Sequence, residues 1–102
     1  MAQQPKEQTI VRAAVDAVEA AGGVAIKYSA APYGKAGTPD VLGVLAGRAL
    51  AWECKRPGGK PTALQAEQMR RWAAAGADVR LIRSKDEAAA AAAALVAGGG
   101  GG

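Results

Sequence analysis

The chain has 102 residues, enough for one domain with one core, and half of them are apolar although none is Phe. Its formal charge of +4 favours a polyanionic partner, and the absence of histidine excludes a His–metal nuclease site, a histidine general base and a Ser-His-Asp triad. A single cysteine and the absence of histidine argue against tetrahedral zinc, so we expect any metal to be held by oxygen, as Mg²⁺ or Mn²⁺ would be.

Hydrophobic periodicity and turn residues divide the chain into seven elements. Apolar residues three and four apart indicate helices that end at glycines, and short apolar runs between Gly- and Pro-rich loops indicate strands. In chain order we predict a helix over about Pro5–Ala21, strands over Val24–Tyr28, Val41–Leu45 and Ala49–Lys55, a helix capped by Thr62 that runs to Ala75, a strand over Asp78–Ile82 and a last helix capped by Ser84. We expect a single domain over 1–97, followed by a flexible glycine tail at 98–102.

The order α-β-β-β-α-β-α predicts an α/β fold. The turn at residues 46–48 joins the second and third strands into an antiparallel hairpin, whereas the helix before the fourth strand suggests a parallel crossover. We therefore expect a mixed four-stranded sheet flanked by helices. Because Ala and Gly supply much of the apolar half, the core should be small and aliphatic, with Trp52 and Trp72 as its largest side chains.

Several absences bear on where the protein works. No apolar run approaches the roughly 18 residues that a membrane span needs. The N-terminus lacks the apolar stretch of a secretory signal, and a lone cysteine fits a reducing compartment. We therefore expect a cytoplasmic protein with no membrane partner.

Charged residues gather at the ends of the hairpin strands. Alternation along the third strand sends Glu53 and Lys55 to one face, and Cys54 to the other face as a small core residue. Asp40 follows Pro39, which stiffens the entry to the second strand. A surface salt bridge or an ordinary turn aspartate would explain these residues separately. Two charges at the end of a buried strand, near a second carboxylate, favour instead a metal-assisted phosphodiester-cleavage site.

Two helices carry a polar residue on the predicted packing face. Glu7 lies in the arc of Ile10, and Gln65 lies within the inner arc that Leu64 and Trp72 help to define. Glu7 could instead complement the helix dipole in solvent, and Gln65 could form a capping box with the N-cap residue. Because a polar group on a packing face is costly without a partner, we favour a site role for both.

Two loops contain residues for which the sequence suggests a function. Gly58-Gly59-Lys60 is not a phosphate loop, because Pro61 stands where Ser or Thr is needed and the upstream glycine is absent. Tyr33 could stack on an exposed base, but we expect it to pack beneath its own loop.

Taken together, Glu7, the Gly37-Thr38-Pro39-Asp40 strand entry, Glu53-x-Lys55 and Gln65 resemble the VRR-Nuc branch of the PD-(D/E)XK nuclease superfamily. The resemblance covers roughly Glu7 to Ile82 and implies a restriction-endonuclease-like αβββαβ core. It implies that Asp40 and Glu53, with the Cys54 backbone carbonyl, bind divalent metal, Mg²⁺ or Mn²⁺. Lys55 would then position the attacking water, and Glu7 and Gln65 would complete the catalytic pocket.

Small stand-alone members of this branch look like homodimeric Holliday-junction resolvases. The resemblance therefore implies an endonuclease that acts on branched DNA in repair and recombination, and two symmetric nicks favour a homodimer of one-site chains. Basic residues near the same edge are expected to contact the DNA backbone: Lys27, Lys35, Arg56 and Lys60. The alternatives are a less selective nickase or flap nuclease, and a non-catalytic DNA-binding module with the same fold.

Overall fold

The computed structural model describes residues 5–98 and shows the predicted order of elements. The elements are α1 (Glu7–Ala20), β1 (Val24–Lys27), β2 (Val41–Leu45), β3 (Arg48–Cys54), α2 (Ala63–Ala74), β4 (Asp78–Ile82) and α3 (Lys85–Ala97). β2 and β4 have the predicted ends, and the predicted ends of the other elements differ from the observed ones by at most two residues. Of the predicted glycine tail, only Gly98 lies within the described residues, as the C-cap of α3. Between residues 5 and 98, no helix is long and apolar enough to cross a bilayer.

The sheet is mixed and has the strand order β1-β2-β3-β4. Both β1–β2 and β2–β3 are antiparallel, and β3–β4 is parallel with α2 as the crossover. Ala46 and Gly47 form the hairpin turn with φ of 55° and 78°, the left-handed values that a two-residue type I′ turn requires. The α/β class and the mixed four-stranded sheet are therefore confirmed.

The hydrophobic core lies between one face of the sheet and the helices α1 and α3. It is aliphatic apart from Trp52 and Cys54, and the fully buried Trp52 belongs to one cluster with Ile10, Val18, Leu50 and Leu95. The small aliphatic core is thus confirmed, but the expectation for Trp72 is wrong, since this side chain is only half-buried. The reason is that α2 lies on the other face and buries only Gln68 of its own residues.

Side-chain caps begin two of the helices where the sequence predicts them. The Thr62 hydroxyl accepts from the Gln65 backbone N–H at the start of α2, and the Ser84 hydroxyl accepts from the Glu87 N–H at the start of α3. Each cap satisfies a backbone donor that the first helical turn leaves without a partner. The Thr62 cap fixes where α2 starts after the 55–61 loop, and the Ser84 cap fixes where α3 starts after β4.

Candidate active site

The hairpin register brings Asp40 to the end of β3. Val41 pairs with Trp52, so the residue before β2 lies next to the last residues of β3. The Asp40 carboxylate completes this contact, since its Oδ2 accepts from the Cys54 backbone N–H at 2.8 Å. The Asp40 side chain thus accepts the hydrogen bond that a backbone carbonyl of a neighbouring strand would otherwise accept. This hydrogen bond holds the carboxylate against β3.

The segment before Asp40 is held by packing as well. Gly37 has a φ of +85°, and a Cβ at this position would lie 2.7 Å from the Leu64 Cγ and 2.9 Å from the Leu64 carbonyl oxygen. Only glycine tolerates both this backbone conformation and this approach to α2. Pro39 is fully buried behind Asp40. The Gly-Thr-Pro-Asp motif therefore packs the strand entry against α2 and fixes the direction of the carboxylate.

Glu53 is a buried carboxylate with one oxygen unpaired. Its exposed fraction is 1%, and its Oε2 lies 3.6 Å from the Nζ of Lys55, which is itself only 12% exposed. The other oxygen, Oε1, is buried and has no hydrogen-bond partner among the described residues. The alternative of a surface salt bridge is therefore wrong for this pair. A buried polar atom without a partner costs about 1–3 kcal/mol, so the site is incomplete without a ligand.

The electrostatics of Glu53 and its neighbours also indicate a site that is incomplete without a ligand. Burial, then the negative charge of the neighbouring Asp40, raise the pKa of Glu53 to about 8, against the opposing effect of Lys55. Two carboxylates held this close repel each other unless a proton or a cation lies between them. Burial, followed by the charges of Asp40, Glu53 and Glu7, raises the pKa of the Cys54 thiol to about 12. Cys54 is buried in the core as expected, and its thiol stays protonated at neutral pH.

The donor set fits a hard cation that keeps part of its water shell. Within residues 5–98 no group of three or more His, Cys, Asp or Glu side chains comes together as a metal cluster. Two carboxylates, one of which has an unpaired buried oxygen, are nevertheless enough for Mg²⁺, because it is commonly held by one or two carboxylates plus waters and substrate phosphates. The absence of a third side-chain ligand therefore matches magnesium better than zinc.

Two comparisons decide the family, although no protein-family model matches the sequence. A protein of Acyrthosiphon pisum secondary endosymbiont phage 1, named "Putative nuclease p44", is 37% identical over 82 residues, which cover 79% of this chain and 86% of the phage protein. A solved structure described as a VRR_NUC domain has a TM-score of 0.70 and 28% identity, and the match covers 89% of this chain and 94% of that one. The chain belongs to the VRR-Nuc family of nucleases.

Membership of the VRR-Nuc family confirms the resemblance, and the structure shows where its two helical residues lie. Glu7 is exposed, so its predicted place on the packing face is wrong, because α1 begins at this residue and its first turn extends beyond the core. Its charge nevertheless acts on the Cys54 thiol. The Gln65 side chain accepts from the Thr62 N–H at 2.9 Å, which confirms the capping box. Site roles for Glu7 and Gln65 stay predictions.

The four basic residues predicted to contact DNA are all exposed on the VRR-Nuc domain: Lys27, Lys35, Arg56 and Lys60. Arg56 lines a cleft of about 410 Å³ with Lys6, Glu7 and Gln8, where the start of α1 meets the end of β3. Sequence reasoning missed Lys6, although its place directly before the helix that carries Glu7 was a usable signal. The cleft is therefore lined by two exposed cations, Lys6 and Arg56, and one acid, Glu7.

Arg83 is a second residue that the sequence did not reveal. Its Nη2 donates to the Gly59 carbonyl at 3.1 Å, and the neighbouring Ile82 carbonyl accepts from the Lys55 N–H at 3.0 Å. Both contacts hold the start of the 55–61 loop against the end of β4. No local pattern predicts them, because they depend on the parallel pairing of β3 with β4.

The loop between β1 and Asp40 exposes Tyr33, which is 96% accessible, so the expectation that it packs beneath the loop is wrong. Tyr28 occupies that position instead, and its hydroxyl accepts from the Lys35 N–H at 2.8 Å. The two ends of the loop are joined beside the site, since the Tyr28 N–H donates to the Asp40 carbonyl at 2.7 Å. An aromatic ring is thus presented to solvent from a loop whose base is Asp40.

Proposed function

We propose that this VRR-Nuc nuclease is a metal-dependent, structure-selective DNA endonuclease that resolves four-way (Holliday) junctions as a homodimer in DNA repair and recombination. The observation that carries the proposal is the buried, unpaired Oε1 of Glu53 between Asp40 and Lys55. A buried ionisable group that the fold leaves without a hydrogen-bond partner and with a strongly shifted pKa marks a functional site more often than a structural one. The relative with nuclease in its name and the VRR_NUC structure support the reaction class.

Asp40 and Glu53, with the Cys54 backbone carbonyl, would hold a divalent cation, Mg²⁺ or Mn²⁺, that when bound polarises the scissile phosphate and lowers the pKa of a water. Asp40 Oδ2 is taken by the Cys54 N–H, so its Oδ1 is the oxygen available to the cation together with Glu53 Oε1. Lys55 Nζ carries the donors that orient the attacking water and offset negative charge developing on the phosphate oxygens.

Substrate selection would rest on shape rather than base sequence. The exposed basic residues around the site edge suit phosphate contacts, which position DNA without reading bases. Tyr33 adds an accessible ring on which a base that is exposed by unstacking at a branch point can stack, a contact worth about 1–3 kcal/mol per base. A linear duplex offers no such base. The combination therefore favours branched DNA over uniform duplex.

Two further parts of the proposal concern assembly and location. One chain carries one Asp40–Glu53–Lys55 site, and a junction is resolved by two symmetric nicks, so a two-fold dimer supplies both. The only cysteine, Cys54, is a buried free thiol, which fits the reducing cytoplasm.

A cleavage assay on a four-way junction, a flap and a linear duplex tests the proposal. With Mg²⁺ we expect paired nicks in the junction, little cleavage of the duplex, and none with Ca²⁺. Asp40→Asn should abolish cleavage, whereas Asp16→Asn, a change to an exposed acid on α1, should not. Equal cleavage of all three DNAs would favour the less selective nuclease. Junction binding without any cleavage would favour the non-catalytic module.

A further inference from the structure

Arg83 lies beside Lys55 at the active-site end of the sheet. The parallel register pairs Cys54 with Ile82, which are the last residues of β3 and β4. The Lys55 N–H donates to the Ile82 carbonyl at 3.0 Å, so the ladder continues by one residue and places Arg83 opposite Lys55. Because side chains alternate between the faces of a sheet, Arg83 and Lys55 both leave it on the face that carries Glu53.

The Arg83 guanidinium holds the middle of the 55–61 loop. Its Nη2 donates to the Gly59 carbonyl at 3.1 Å, and the Gly59 N–H donates to the Arg56 carbonyl at 2.9 Å, which closes a turn. A Cβ on Gly58 would have nothing within 4 Å, so the tip of this turn is not packed against the fold. Between residues 5 and 98, no other side chain donates a hydrogen bond to the backbone of this loop. The position of the turn therefore depends on Arg83.

This turn packs directly on Lys55. A Cβ on Gly59 would lie 3.4 Å from the Lys55 Cβ and 3.1 Å from the Arg56 carbonyl oxygen. The Gly59 backbone thus lies against the stem of the lysine, whose side chain is only 12% exposed and whose Nζ lies 3.6 Å from Glu53 Oε2. A movement of the turn would move the ammonium, and a misplacement of about 1 Å at a reacting group can cost about 10²-fold in rate.

Arg83 is itself fixed at the start of α3. Its backbone N–H donates to Glu87 Oε1 at 2.8 Å, and the Glu87 N–H donates to Ser84 Oγ at 3.0 Å. Both hydrogen bonds belong to the N-terminal cap of α3, a helix that packs into the core through Leu95 and its buried alanines. The guanidinium therefore extends from a rigid part of the fold to a loop that has little support of its own.

We propose that Arg83 is a positioning residue of this nuclease, which holds the 55–61 loop through Gly59 and thereby keeps the Lys55 ammonium in place for the cleavage step. The inference rests on the role of Lys55 in the proposed function. Because Arg83 acts through the loop, the loss of its donors should lower the rate of the cleavage step much more than it weakens DNA binding.

Single-turnover cleavage at saturating enzyme tests the inference, on whichever of the junction, flap and duplex the wild-type protein cleaves fastest. Arg83→Met keeps a long unbranched side chain but removes the donors. We expect its rate to be about tenfold below that of wild type, with the dissociation constant for the same DNA in Ca²⁺ changed by less than about threefold. Arg83→Lys, which keeps a donor, should recover part of the rate. Arg71→Ala is the matched control, since it removes an exposed arginine of α2, and should keep the wild-type rate.

The double variant Lys55→Ala/Arg83→Met tests whether Arg83 acts through Lys55. We expect it to cleave at the rate of Lys55→Ala alone, because the effects of residues that act as a unit are not additive. A further loss of about tenfold in the double variant would overturn the inference, because Arg83 would then act independently of Lys55. So would an Arg83→Met rate equal to that of Arg71→Ala.

Amide hydrogen exchange gives a second measurement that does not depend on activity, and circular dichroism checks that each variant is folded. In Arg83→Met the Gly59 amide should exchange about tenfold faster, with the β2–β3 ladder unchanged, since only the turn loses its support. Unchanged exchange at Gly59 would defeat this inference alone, as would a normal Arg83→Met rate beside a slow Lys55→Ala. A Lys55→Ala protein that cleaves at the wild-type rate, or a wild-type protein that cleaves no DNA, would defeat the proposed function and this inference with it.

Discussion

Two buried carboxyl groups at opposite ends of the β3–β4 pair have opposite environments. The Asp78 carboxylate accepts hydrogen bonds from two side chains, since its Oδ2 accepts from Trp52 Nε1 at 2.9 Å and from Arg80 Nε at 2.8 Å. Burial acts to raise the pKa of Asp78, but the hydrogen bonds from Arg80 and Trp52 outweigh it, and the pKa is lowered. At Glu53 burial and the nearby Asp40 act together, and the pKa rises to about 8.

The difference separates a structural acid from a functional one. The fold provides hydrogen bonds for Asp78, so its charge helps to hold β3 and β4 together. For Glu53 the fold places the Lys55 ammonium near Oε2, but no hydrogen-bond partner among the described residues near Oε1. A protein keeps such a costly arrangement where a ligand completes it, because local rules are broken mainly at functional sites.

Exchanging each carboxylate for its amide tests this comparison most strongly. We expect Glu53→Gln to lower the rate of junction cleavage by about 10²–10³-fold or more, since the change removes a cation ligand. The free energy of unfolding should stay the same or rise, because folding of the variant no longer has to bury an ionisable acid whose pKa it raises from 4.5 to about 8. Cleavage rates of labelled junction and urea unfolding curves measure the two effects.

Asp78→Asn is the control, and we expect it to lower the stability while leaving the cleavage rate unchanged. We expect a loss of about 2–3 kcal/mol in unfolding free energy, because the Arg80 charge loses its partner, with cleavage by the folded protein retained. The comparison fails if Glu53→Gln unfolds as easily as Asp78→Asn, or if it still cleaves DNA at the wild-type rate.

Removing the lysine tests the cationic side of the same site. Lys55→Ala should slow cleavage by about 10²-fold, since the orienting donors and the charge that offsets the phosphate are lost. Lys85→Ala changes an exposed lysine at the start of α3 and should leave the rate unchanged. Single-turnover cleavage at saturating enzyme is the measurement. A Lys55→Ala rate equal to that of Lys85→Ala would remove this residue from the mechanism.

The two acids should also give opposite pH dependences of stability in the metal-free protein. The lowered pKa of Asp78 contributes stability that is present above pH 3.8 and is lost as the pH falls through the folded-state value. The raised pKa of Glu53 has the opposite sign, so stability falls as the pH rises from 4.5 through about 8.

Urea midpoints measured in chelator between about pH 2 and pH 9 would show both slopes. We expect Asp78→Asn to flatten the acid limb and Glu53→Gln to flatten the alkaline limb. Identical slopes for wild type and Glu53→Gln between pH 4.5 and about 8 would contradict the raised pKa of Glu53.

The smallest expected effect concerns the segment that places Asp40 beside Glu53. Gly37→Ala should cost more than the roughly 1 kcal/mol of a positive φ, because the new methyl group would collide with Leu64. Gly58→Ala is matched in conformation, with a φ of +83° and nothing within 4 Å, and should cost the φ strain alone. Thermal unfolding compares them. Equal losses would mean that the contact with Leu64 does not hold the strand entry.

The meeting of Asp40 with Glu53 and Lys55 was predictable because it follows from local rules. Alternation along β3 and a short hairpin turn determine which side chains share a face and which residues lie opposite each other. The same rules predicted the sheet and the caps of α2 and α3. These features depend on neighbours in sequence or on one hairpin.

Features that depend on distant packing were not predictable. A helical arc shows which residues share a face but not where the covering sheet ends, so Glu7 and Trp72 were expected to be more buried than they are. Which of Tyr28 and Tyr33 fills the loop depends on the path of the loop. The bond between Trp52 and Asp78 requires the parallel register of β3 and β4, which no local pattern specifies.

Calorimetric titration of Mn²⁺ into the metal-free protein tests the central claim, that the unpaired oxygen of Glu53 is a cation ligand. We predict saturable binding to the wild-type protein and to Asp78→Asn. For Glu53→Gln we predict affinity weakened by at least about tenfold, since an amide oxygen is a poorer ligand than a carboxylate. Wild-type affinity in Glu53→Gln would contradict the account.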